Sequence, residues 1–214
     1  MARVVLLLIT VGALAACGSS SASPSGTSSS SATAASARCG PASARTLARG
    51  SQARVYVQKG IVLGCLTGAH RRPVTLGATG SCLQTSRVNA TAVAGRMVAV
   101  AITRCGVDTA PAQIRVIRLS DGHQLFTHAA IENPGPESFA TVTALVLNAS
   151  GRVAWIATAH SIATHRVLTE VLSRRGGTAR LLDSGASIAV RSLRLSGSTL
   201  SWRDGGRQRT AQLA

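Results

Sequence analysis

The chain predicts an all-β fold made of antiparallel repeats, and three observations point there. Short runs of alternating apolar residues recur along its second hundred residues and beyond, each followed closely by a glycine. Hydrophobic residues make up 45% of the sequence, yet only five are aromatic (Tyr56, Phe126, Phe139, Trp155 and Trp202), so Val, Leu, Ile and Ala must fill the core. β-Branched residues pack well on a pleated surface. Glycine is plentiful, as many tight turns require.

Taken in chain order, the first unit is degenerate: Arg54-Val55-Tyr56-Val57, then Gly60, then Ile61 to Leu66. A short stray strand, Thr46-Leu47-Ala48, precedes it. The second unit runs from Val88 to Val93 through Gly95 into Met97 to Ile102, and the third from Val142 to Leu147 through Gly151 into Val153 to Ala157. The fourth leads from Ser192-Leu193-Arg194-Leu195 through Gly197 into Thr199-Leu200-Ser201-Trp202.

Later in these units a second grammar recurs. Arg118 to Leu125, Leu172 to Leu181 and Trp202 to Arg209 each carry a strand end, a polar glycine turn and a returning strand. Asp121-Gly122, Gly176-Gly177 and Gly205-Gly206 supply the positive φ angles that two-residue hairpins need. The units recur about every 35–55 residues, around the roughly 40–50-residue period of propeller blades. No unit can bury its faces alone, so the copies must pack sheet on sheet, either radially or face to face as a β-sandwich.

Together these segments make Arg38–Ala214 similar to bacterial β-propellers of the loosely repeated kind, without a strict Trp-Asp signature. The resemblance implies about four propeller-like blades, closed, open, or completed by a dimer. The apolar inner strands, such as Thr143 to Leu147, are expected to be buried on both faces, an inside-to-outside gradient of the kind a blade shows. Units one and four show three strands where two and three show four, so Thr46-Leu47-Ala48 is expected to complete unit four and close a ring.

Ahead of the domain, residues 1–16 have the order of a secretory signal: Arg3, an apolar run from Val4 to Leu14, then small residues. The run is shorter than the roughly 18–20 apolar residues that span a bilayer. Leu14-Ala15-Ala16-Cys17 resembles the lipobox of bacterial lipoproteins, which implies a diacylglycerol on Cys17 and cleavage just before it. The expected location is the extracytoplasmic face of the cell membrane, held by that lipid. Residues 17–37 are almost wholly Ser, Ala, Thr and Gly. Such a stretch buries too little to offset the entropy of ordering it. As a flexible tether it would reach on the order of 25 Å.

Four further cysteines, Cys39, Cys65, Cys82 and Cys105, suit an exported domain with two disulfides, for which three pairings exist. A short loop closes easily, which favours Cys65 with Cys82 and leaves Cys39 for Cys105. None of them forms a Cys-x-x-Cys pair, so redox and zinc motifs are not indicated.

The formal charge is +16, carried almost entirely by arginine, with Lys59 the only lysine. Attraction to anionic headgroups or acidic envelope polymers is one consequence; a genome that writes arginine for lysine is another. Nucleic acid is not an expected partner, because the domain is exported and lacks aromatic stacking platforms.

Catalytic motifs are missing: no Gly-x-Ser-x-Gly elbow, no His-Glu-x-x-His helix, no phosphate loop. Asp183-Ser184-Gly185 reads as a turn. His123, His128, His160 and His165 stand beside turns and strand ends, and His128 with Glu132 flanks a loop running to Pro136. No catalytic residue, metal or cofactor is expected. The expected function is non-enzymatic: a lipid-anchored β-repeat domain that binds a protein or an anionic envelope polymer. The alternative is an enzyme or small-ligand sensor with its site at the central channel, which the inner-strand sequences look set to fill with Val, Ala and Thr.

Overall fold

Fifteen strands, and no helix, make up the ordered architecture of residues 39–69, 71–81, 86–175 and 177–213, which are those described by the structure, a computed structural model. All lie within the compact unit Ala34–Ala214. They form four antiparallel sheets instead of the two of a sandwich, each a simple meander in chain order. Sheet one contains β1 (Arg45–Arg49), β2 (Ala53–Gln58), β3 (Ile61–Leu66) and β4 (Val74–Ala78). Sheet two contains β5 (Ser86–Ala94), β6 (Met97–Arg104), β7 (Ala112–Arg118) and β8 (His123–Ala129). Sheet three contains β9 (Ser138–Leu147), β10 (Val153–Ser161), β11 (Val167–Arg175) and β12 (Thr178–Ser184). Sheet four has three strands, β13 (Arg194–Ser196), β14 (Thr199–Asp204) and β15 (Arg207–Gln212).

The hairpins fall at the glycine turns, although β7 and β8 are joined by four residues, 119–122, and not by the expected two-residue Asp121-Gly122 turn: Gly122 (φ 73°) alone of these takes the left-handed conformation. Gly205 (φ 54°) and Gly206 (φ 79°) both take the left-handed conformation that a two-residue turn demands between β14 and β15. Unit one, however, is displaced by a strand from the expected frame. Thr46-Leu47-Ala48 belongs to β1, which pairs with β2 in its own sheet and does not complete sheet four. Arg54–Val57 is therefore a second strand, and Gly60 turns the second hairpin of its sheet. The chain between β1 and β2 is too short to reach another sheet, so the two pair locally.

Three apolar clusters join consecutive sheets, and the alternation of the strands builds them. On β6, Val98, Val100 and Ile102 face sheet one, while Ala99 and Ala101 face sheet three. On β10, Val153, Trp155 and Ala157 face sheet two, whereas Ala154 and Ile156 face sheet four. Period two with both faces apolar produces a strand sandwiched between neighbouring sheets. Trp155 is fully buried and donates its indole N–H to Ala130 O at 2.8 Å, which fixes the link between sheets two and three. The strands buried on both faces are thus the second strands of sheets one to three, β2, β6 and β10, together with β11 over Thr169–Ser173. β9 and the other first strands are only half-buried. A first strand has a partner on one side alone, and its other edge borders open space.

Among the described residues no apolar cluster joins sheet four to sheet one. Each end of the row has its own covering. On sheet one, Arg54 and Tyr56 point away from sheet two and lie under the segment Cys39–Ala44. The disulfide Cys39–Cys65 ties that segment down, with Cα atoms 5.4 Å apart. This replaces the expected pairing of Cys65 with Cys82 and of Cys39 with Cys105. Cys65 lies directly across from Arg54, and the Arg54 guanidinium gathers the carbonyls around Cys39 against the sheet. Gly40 (φ 74°) crosses Tyr56 so closely that a Cβ would sit 2.5 Å from the ring.

Sheet four packs its apolar face, Leu200 and Trp202, onto sheet three. Trp202 donates its indole N–H to Asp183 Oδ2 at 2.7 Å, and Thr143 Oγ1 donates to Val190 O at 2.6 Å. The other face of sheet four is polar.

Candidate functional site

Three first strands, β1, β5 and β9, lie side by side and wall a cavity of about 650 Å³. It was expected to be filled with Val, Ala and Thr; Val88, Ala90, Ala144 and Leu145 do line it, but so do Arg45, Arg87, Thr79, Asn89, Thr91 and Thr143. Among the described residues no acidic or aromatic residue reaches it. Arg45 and Arg87 are exposed and, among the described residues, make no ion pair or side-chain hydrogen bond. Behind the wall, Asn89 Nδ2 donates to Thr103 Oγ1 (2.6 Å) and Thr141 Oγ1 (3.1 Å), and Thr103 Oγ1 donates on to Ala140 O (3.1 Å). That chain of bonds locks β5 to β6 and β9. Asn89 Oδ1 is buried with no partner.

The second basic feature is the outer face of sheet four. Arg194, Ser201 and Thr210 stand opposite one another across its three strands, as do Arg203 and Gln208 across two. Arg194, Ser201, Arg203 and Gln208 rim, with Arg191 and Ser192, an open groove of about 680 Å³ that no acid among the described residues lines. Arg194 donates to Arg191 O (2.9 Å) and Leu193 O (2.8 Å), which holds its stem against the turn. The Arg191 and Arg203 guanidiniums have no partner among the described residues. The Asp204 carboxylate, next in sequence to Arg203, lies on the opposite face, where Ser187 Oγ and Arg209 donate to it; the Ser187 bond first, then that arginine, holds its carboxyl below the usual range.

The histidines do not converge, and among the described residues no three His, Cys, Asp or Glu side chains gather as a metal site. His128 stacks on Phe126 with ring centroids 5.8 Å apart, and its Nε2 is 3.9 Å from Glu132 Oε1. Glu170, which no sequence motif marks, is 4% exposed and accepts the Glu132 backbone N–H at 3.1 Å. Burial pushes its carboxyl above the usual value. Asp183 and Ser184 end β12, and the Asp183 carboxylate serves Trp202. Cys105 is disulfide-bonded. Cys17 and Cys82, together with the signal and tether, lie outside the described residues.

No family model matches the chain, and no curated protein matches it.

Proposed function

We propose that the protein is a non-enzymatic, lipid-anchored envelope module: an open row of four propeller-like blades, tethered through Cys17, that holds an anionic envelope polymer. The observation that carries this is the outer face of sheet four, where Arg191, Arg194 and Arg203 present guanidinium groups with no acid among them. Neighbouring strands are about 4.8 Å apart, so forked donors on β13 and β14 suit phosphate or carboxylate groups repeated along a chain. Arginine pairs with such groups through two parallel bonds, which lysine cannot do. The lipobox and the uncharged tether support the placement, because they would hold this face near the polymers of the cell envelope.

Full-length protein reconstituted in vesicles of neutral lipid tests the polymer. Poly(glycerol phosphate) should co-sediment with it, and half-saturation should move up at least tenfold between low and 0.3 M salt, where the screening length has shrunk to several ångströms. The triple variant Arg191→Gln, Arg194→Gln, Arg203→Gln should lose at least as much. Binding indifferent to both would remove the assignment. Mass spectrometry of the mature N-terminus should find diacylglycerol on Cys17, and Cys17→Ala should leave the protein unanchored; an unmodified N-terminus cut elsewhere would refute the anchor.

A further inference from the structure

The walls of the first-strand cavity share a backbone device. In each of β1, β5 and β9 the register with the second strand slips by one residue: between Thr46 and Ala48, between Val88 and Ala90, and at the β9 residue lying between the partners of Ile156 and Ala157. The residues left over are Leu47, Asn89 and Thr143, and all three line the cavity. A bulge of this kind bends its strand and re-aims a side chain out of the pleat. Three at one place, on strands drawn from three different sheets, make a concave wall that regular pleating would not.

Two residues before the first two bulges stand Arg45 and Arg87; Thr141 holds the matching position on β9. Both arginines line the cavity without a partner among the described residues, which also place two guanidinium forks and no carboxylate on the bulged wall. Like charges facing one space repel, and an oxyanion between them relieves the repulsion while using the forked donors. The volume, about 650 Å³, is in the roughly 300–1,000 Å³ range of organic-ligand sites and far exceeds what an inorganic ion fills. The remaining polar wall is hydroxyl, from Thr79 and Thr91. With no aromatic ring to stack on among the described residues, a nucleobase gains little there.

We infer that this cavity is a binding site for a small hydroxylated oxyanion, a sugar or polyol bearing one phosphate or carboxylate, with Arg45 and Arg87 on the charged group. The site is separate from the sheet-four face and does not depend on polymer binding there. Calorimetry on the full-length protein in neutral detergent, with glucose 6-phosphate, glucuronate and glucose as probes, tests it. At least one acidic sugar should bind with a submillimolar dissociation constant, and glucose at least tenfold more weakly. The double variant Arg45→Gln, Arg87→Gln should lose tenfold or more, whereas Arg194→Gln, Arg203→Gln should bind as the parent does. Both cavity arginines are exposed and unpaired, so the substitutions leave the fold in place. Equal binding of glucose, no binding of either acidic sugar, or an unchanged double variant would overturn the inference.

Discussion

At the residue scale, Arg54 shows how a buried cation is held without a carboxylate. It is 6% exposed and donates through Nε to Thr46 Oγ1 (2.9 Å), through Nη1 to Cys39 O (3.1 Å) and Pro41 O (3.0 Å), and through Nη2 to Ala44 O (2.5 Å). Its guanidinium carbon also lies 5.2 Å from the Tyr56 ring centroid. Three of the four bonds end on backbone carbonyls of Cys39–Ala44, so the arginine acts as the organiser of the segment that covers sheet one. Removing it strands several carbonyls, each at a cost of about 1–3 kcal/mol where water cannot reach. Arg54→Ala should therefore lower unfolding free energy by about 3 kcal/mol or more, read as a lower urea midpoint. Cys39→Ser with Cys65→Ser opens a loop with a sequence separation of 26 and should cost about 3.5 kcal/mol on loop entropy. The two losses should not add, because both release the same segment. A midpoint unmoved by Arg54→Ala would show that the covering segment contributes nothing to stability.

At the element scale, the join between sheets two and three contains a buried acid. Glu170 on β11 accepts the N–H of Glu132, in the loop that carries the chain from β8 to β9, and burial raises its carboxyl. The sign follows from which state holds the proton more tightly. The folded state does, so Glu170 contributes stability below the ordinary glutamate range, and that contribution is lost as pH rises through its raised folded value. Glu132 and His128 face the same loop, 3.9 Å apart. Glu170→Gln keeps an acceptor for Glu132 and removes the titration. Its unfolding free energy should fall less than the parent's between pH 4 and pH 7, in denaturant melts at each pH; parallel curves would dismiss the assignment.

Strand and hairpin positions were legible because they rest on local rules, alternation along β6 and β10 and paired glycines at Gly205-Gly206. Which sheet a strand joins is not local. Thr46-Leu47-Ala48 looks the same in sequence whether it pairs with β2 or with a strand 150 residues away. The bulges at Leu47, Asn89 and Thr143 leave no compositional mark either, and so neither cavity nor arginine pair could be read before Arg45 and Arg87, on strands from different sheets, were brought to one wall. The sheet-four face was hidden for the same reason, since Arg194 and Arg203 become neighbours only once β13 pairs with β14.

At the scale of the whole molecule, the two ends of the row decide whether four sheets form a ring or a line. Closing the ring, within one chain or through a second copy, would press the outer face of sheet four on the outer side of sheet one. The first offers Arg194, Ser201, Arg203, Gln208 and Thr210, and the second has already spent Arg54 and Tyr56 on the segment Cys39–Ala44. Burying guanidiniums with no acid opposite costs several kcal/mol each, more than a small polar contact returns. End repeats with a polar outer face are how stacked-repeat proteins stop growing. The chain from residue 18 onward should accordingly run as a monomer in light scattering at tens of micromolar. Replacing Ser201, Arg203 and Thr210 with leucine together should make it associate, because the same face then has apolar area to bury. A parent that is already dimeric, with the triple variant no more so, would mean that the polar end does not limit association.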